Sequence, residues 1–101
     1  MPRLPMLLGL IFVSLAAQAE EGALAELTKG QPKAVASVVE RIAMCTHFAG
    51  EEPYDAARGR EIAAAMKKYR CDKLDKDEAA LRKRYQGNAA VLGVLQKAHE
   101  W

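Results

Sequence analysis

No stretch of this chain alternates apolar and polar residues with period two over a useful length, and β-branched residues are sparse. A sheet protein is excluded on that ground, and the abundance of alanine points to helices. There is no internal repeat, no low-complexity tract and no linker long enough to divide the chain, so one domain suffices. Neither a Cys-x-x-Cys pair nor a His-x₃-His pair is present, which removes the ligand spacings of a structural zinc site. Covalent haem attachment, which needs Cys-x-x-Cys-His, is excluded with them. Asp72, Asp75 and Asp77 lack the glycine and the closing glutamate of a calcium loop. No cofactor and no metal are expected. Aromatic residues do not alternate with basic ones, so a base-stacking surface for nucleic acid is not expected either.

The longest apolar stretch, Leu4 to Ala17, is about 14 residues, broken only by Ser14. Crossing a bilayer takes about 20 residues, so the stretch is too short to be a permanent anchor. It has instead the anatomy of a secretory leader. Arg3 and the amino terminus supply positive charge, the apolar run follows, and Ala17-Gln18-Ala19 offers small residues where a signal peptidase requires them. Glu20 and Glu21 come next, and no cysteine follows the run to take a lipid. Residues 1–19 are therefore expected to be a signal peptide and residues 20–101 an all-helical periplasmic domain, located in the periplasm or secreted. No stable membrane insertion is expected after cleavage.

Without Arg3 the remaining chain has 14 basic and 13 acidic residues, a net charge near +1 that is too balanced to imply a polyanionic partner from bulk charge. The charge is unevenly placed. Residues 58–84 hold ten basic and five acidic residues, a local +5, read either as a solvated helical face or as an attraction to something anionic in the envelope. A domain of about 82 residues has a marginal core without a staple. Cys45 and Cys71 are an even count in a compartment that permits oxidation. They read either as two buried thiols or, the favoured expectation, as a disulfide stabilising the fold by about 3–4 kcal/mol.

Helical spacing organises the rest. Leu24 and Leu27 sit in a short first piece that Gly30 should end. Pro32 suits a first helical position, and Val35, Val38, Val39, Ile42, Cys45 and Ala49 form a clear apolar stripe to about Phe48. Gly50 to Tyr54 interrupts the pattern, and Asp55 should cap a helix running to about Arg70 with Ile62, Ala65, Met66 and Tyr69 inward. Cys71 would lie half a turn off that stripe, so this helix has to stop near Arg70 if the bridge is to form. Asp75-x-x-Glu78 resembles a capping box for a third helix through Leu81 and Tyr85, closed by Gly87. Asn88 then caps a last helix carrying Val91, Leu92, Val94, Leu95, Ala98 and Trp101, with Gly93 expected to permit close approach. The expected fold class is all-α, a small compact domain of about four helices pinned by one disulfide.

The densest run of chemistry-bearing side chains is Cys45-Thr46-His47-Phe48-Ala49-Gly50-Glu51-Glu52. A nucleophilic cysteine would need His47 or His99 as its base. Residues two apart on a helix diverge, so Cys45 and His47 make a poor pair. No catalytic residue is expected. The candidate interaction loop comprises His47, Phe48, Glu51, Glu52, Tyr54 and Asp55. A length argument adds that a plain helical hairpin would hold Cys45 and Cys71 too far apart for a bridge. His47–Tyr54 is therefore expected to run as an extended strap that lets the next helix return to Cys45.

The pattern Cys45-x-His47-Phe48-x-Gly50-Glu51, followed by Tyr54-Asp55, Cys71-Asp72 and Tyr85, resembles a group of small uncharacterised exported proteobacterial proteins. The resemblance covers about residues 40–90. It implies an envelope setting and supports the Cys45–Cys71 pairing, and it carries no activity, ligand or partner with it. The resulting expectation is a non-catalytic periplasmic protein-interaction module whose partner is an unknown envelope protein. A sharper version is an inhibitor of a basic wall-degrading enzyme, offering Glu51, Glu52 and Asp55 to its cleft. The alternative is a metal- or thiol-dependent protein using Cys45 and His47.

Overall fold

A computed structural model describes the backbone of residues 15–100 and the side chains from Gly22 onward. The apolar part of the expected leader, residues 4–14, and Trp101 lie outside the described residues. Among the described residues the chain is helical throughout: α1 (Leu15–Thr28), α2 (Lys33–Ala49), α3 (Ala56–Lys68), a single 3₁₀ turn (Cys71–Lys73), α4 (Leu74–Arg84) and α5 (Ala89–Ala98). The first helix is longer than its sequence pattern implied. It runs unbroken across Ala19 and Glu20, the bond at which the leader is expected to be cut.

Helix α2 is the axis of the domain and touches all four other helices. Its stripe is buried as its spacing requires: Val35, Val38, Val39, Ile42 and Cys45 are in the core, while Ala49, one turn further on, is exposed. Leu74 and Leu81 of α4 and Val91, Leu95 and Ala98 of α5 complete the core, with Leu24 and Leu27 of α1 packed against its edge. Ile42→Ala should cost about 2–4 kcal/mol, because a side chain 1% exposed leaves a cavity its neighbours fill only in part. A chemical-denaturation midpoint measures the loss directly.

The helix ends follow local chemistry with some shifts. Pro32 is the residue before α2 rather than its first member, with φ −55° and ψ 148°. Asp55 and Asn88 cap α3 and α5, accepting from the backbone N–H of Arg58 at 2.7 Å and of Val91 at 3.1 Å. Gly87 turns the chain at φ +89°, a region that only glycine enters without a steric cost. Two expectations fail. The Asp75–Glu78 capping box does not form: α4 starts at Leu74 with no side-chain cap, and Glu78 is drawn into the interior instead. Gly93 permits no close approach, since a Cβ there would meet nothing within 4 Å.

Cys45 and Cys71 form the disulfide, with Cα atoms 5.6 Å apart. Two devices bring them together. Helix α2 continues through His47 and Phe48 to Ala49, so the strap is residues 50–55, three residues shorter at its start than expected. The strap carries the chain beyond the end of α2, and the 13 residues of α3, which rise about 20 Å, bring it back to the level of Cys45. At the far end α3 stops at Lys68, and Arg70 adopts the left-handed conformation (φ 49°, ψ 51°). That one residue rotates the chain so that Cys71 faces α2 instead of the solvent side of a continued helix.

Candidate functional site

The strap begins where α2 ends. The N–H of Gly50 donates to Thr46 O at 3.1 Å, and the N–H of Glu51 donates to Phe48 O at 3.3 Å, which closes the last turn. From there the strap lies back along the first turns of α3. A Cβ on Gly59 would sit 3.8 Å from the Pro53 Cβ, so the proline rests over the glycine in ordinary contact. Arg58 grips the Glu51 carboxylate with both ends of its fork: Nη2 donates to Oε1 at 2.7 Å, and Nε donates to Oε2. The same guanidinium reaches Glu61 at 2.8 Å, while the backbone N–H of Arg58 is held by Asp55. One residue thereby ties the strap to the helix that follows it.

Charge follows geometry. The Arg58 hydrogen bonds hold the Glu51 carboxyl below the ordinary carboxylate range against the opposing effect of partial burial. The positive charges of Arg58 and then His47 add to the lowering. Arg58 is pushed up further by its two carboxylates. A carboxylate with a depressed pKa stabilises the fold fully above its unfolded value, about 4.3, and that contribution disappears as pH falls through the folded value. Unfolding midpoints of wild type and Glu51→Gln should therefore differ above about pH 5 and converge as pH falls from there through the lowered folded value. A gap that persists unchanged in acid would show that the clasp is not ionic.

The six residues of the candidate loop end in different situations. His47 is exposed on α2, its Nε2 3.6 Å from Glu51 Oε1 and its ring edge-on to Phe48 at 4.8 Å. Glu51 and Asp55 are engaged internally, the first by Arg58 and the second as a helix cap. Glu52 is exposed, with no ion-pair partner among the described residues. Tyr54 is 81% exposed, the one large apolar side chain so displayed among the described residues.

A cysteine–histidine dyad is not assembled. Cys45 is bridged and 7% exposed, His47 faces Glu51, and His99 binds Glu78 from the end of α5. Among the described residues no group of three or more His, Cys, Asp and Glu could hold a metal ion. No described helix is long and apolar enough to cross a membrane.

Two buried polar clusters escaped the sequence reading. Arg41, 5% exposed, donates from Nε to Tyr69 O at 2.7 Å, from Nη2 to Arg70 O at 2.8 Å and from Nη1 to Asp77 at 2.8 Å. Glu78, 7% exposed, accepts from Arg82 at 2.9 Å and bonds His99 Nε2 at 2.7 Å. The signal for Arg41 was present in the pattern, three residues after Val38 and four before Cys45, a charged residue on an apolar stripe. For Glu78, its place between Leu74 and Leu81 gave the same sign.

No protein-family model, no curated protein and no solved structure matches this chain.

Proposed function

We propose that this is a small exported, non-catalytic helical protein that serves as a periplasmic protein-interaction module and engages another envelope protein through the strap 50–55. The observation that carries the reading is Tyr54, 81% exposed on a strap fastened on one side by the Glu51–Arg58 clasp and on the other by the Asp55 cap. An aromatic side chain displayed on a pre-organised segment gives up little conformational entropy on binding, and such residues are the common anchors of interfaces. The disulfide accords with an oxidising compartment. The resemblance to small exported proteobacterial proteins, carried by Cys45-x-His47-Phe48-x-Gly50-Glu51 and Cys71-Asp72, supports the same setting. The geometry favours an apolar anchor over an acidic plug. With Glu51 and Asp55 engaged internally, the inhibitor version of this function rests on Glu52 alone among its three acids.

Two measurements test the proposal. Intact mass of the exported form should show a chain beginning at Glu20, and a species retaining residues 1–19 would overturn the export reading. A photo-cross-linking side chain at position 54 should capture one discrete envelope protein that is not captured from Ala64 on the exposed side of α3. Tyr54→Ala should then weaken binding of that protein by about tenfold or more. Equal capture from both positions would sink the role of the strap.

A further inference from the structure

The internal ion pairs leave the surface of α3 and α4 more one-sided in charge than the sequence shows. Of the five acids in residues 58–84, Glu61 is held by Arg58, Asp77 by Arg41, and Glu78 by Arg82 and His99. Only Asp72 and Asp75 remain unpaired there among the described residues. Of the ten cations, only Arg58 and Arg82 have carboxylate partners, which leaves eight, all of them exposed. The unpaired balance is therefore +6, while the rest of residues 20–101 carries four basic and eight acidic residues, a net −4. The positive charge of the chain is thus concentrated in residues 58–84.

These cations share a surface for a structural reason. Helices α3 and α4 both pack on α2, so their outer faces turn away from it. Lys67 lies about half a turn from the Ile62–Met66 stripe, and Lys76 and Lys83 lie about half a turn from Leu74, Glu78 and Leu81. Arg70 and Lys73 occupy the corner that joins the two helices, in the left-handed residue and the 3₁₀ turn between them. The cavity at this corner is lined by Met66, Lys67, Cys71 and Asp72, one cation beside one carboxylate, so it is not shaped for a single small anion. Tyr69 and Tyr85 are only partly exposed and lie under Lys68 and Arg84 at 5.3 and 5.5 Å, which leaves no free aromatic platform for bases. Five of the eight are lysines, compact point charges on flexible stems rather than the planar forks that read one carboxylate.

We infer that the outer face of α3, the 3₁₀ corner and α4 is a peripheral docking surface for an anionic phospholipid bilayer. An exposed spread of flexible point charges suits a surface of many equivalent head groups. Each basic residue near such a surface contributes to binding. The strap lies at the other end of α3, about 20 Å away along the helix, so either surface can fail its test without affecting the other.

The test is flotation of the exported protein, isolated from the envelope with its N-terminus read by intact mass, against vesicles containing about one-third phosphatidylglycerol and against purely zwitterionic ones. Binding is expected to the anionic vesicles only, and to be lost at about 0.5 M salt. The variant K67Q/K73Q/K76Q should reduce partitioning by about a hundredfold, at roughly fivefold per charge. K29Q/K33Q/K97Q, which removes the same net charge elsewhere, should bind like wild type. Circular dichroism checks that both variants are folded. Should the first variant misfold, K73Q alone and the salt dependence of wild type decide the matter. Absence of binding at low salt, equal binding to zwitterionic vesicles, equal loss in the two triple variants, or tighter binding to soluble polyphosphate or single-stranded DNA would each overturn the inference.

Discussion

Arg41→Met should destabilise the domain by about 3 kcal/mol, as expected when one partner of a buried, hydrogen-bonded charge is removed. The guanidinium is 5% exposed and makes three charge-assisted hydrogen bonds, two of them to the carbonyls of Tyr69 and Arg70 that end α3. Removing it takes the side-chain donor from Tyr69 O in a place water reaches poorly, a loss on the order of 1–3 kcal/mol, while Arg70 O keeps the backbone N–H of Lys73 at 3.0 Å. Asp77, the third partner, has a side chain 40% exposed and can be re-solvated, which keeps the figure below a sum over all three bonds. Asp77→Asn should accordingly cost less than about 1 kcal/mol. Urea midpoints of the two variants check the pair. A loss under about 1 kcal/mol for Arg41→Met would mean that the α3 terminus is held by the disulfide alone.

Removing the disulfide should cost about 3–4 kcal/mol. The bridge spans a sequence separation of 26, and closing a loop of that size in the unfolded chain accounts for about 3.5 kcal/mol by chain entropy. Domains of this size have about 5–15 kcal/mol in all, so Cys45→Ala with Cys71→Ala should lower the unfolding midpoint by a large fraction of its range. Arg41 and the bridge fasten the same corner, at Tyr69 to Cys71. Their losses should therefore not add. The triple variant should fall short of or exceed the sum by at least about 0.5 kcal/mol, as expected for neighbours sharing one backbone segment. Strict additivity would show that the corner is not a single structural unit.

Several elements of this molecule are local in origin and were legible for that reason. The stripe from Val35 to Cys45 sets the buried side of α2, because a period of 3.6 residues puts those side chains on one face whatever surrounds them. The caps at Asp55 and Asn88 and the turn at Gly87 follow from side chains acting on backbone within three residues. The disulfide was legible from the pair of cysteines; chain length, which makes a plain hairpin incompatible with the bridge, then required a strap after α2, and the half-turn offset of Cys71 required α3 to stop before it.

The fate of the charged residues was decided by tertiary structure. Glu78 could cap its own helix on local grounds, yet it lies under Arg82 and His99, and His99 is 21 positions away. Arg41 finds its carbonyls 28 and 29 positions downstream. In the candidate loop, sequence offered three acids to a partner, and folding engaged Glu51 with Arg58 and Asp55 with a helix end, leaving Glu52 and Tyr54 exposed. Apolar spacing is a property of one helix, so the sequence by itself determined the buried face of α2 and the breaks near residues 30, 50 and 87, while the α3 stripe of Ile62, Ala65, Met66 and Tyr69 is only half-buried. An ion pair requires two particular side chains to meet, and which ones meet depends on how α3 and α4 lie against α2, a matter only the packed structure decided.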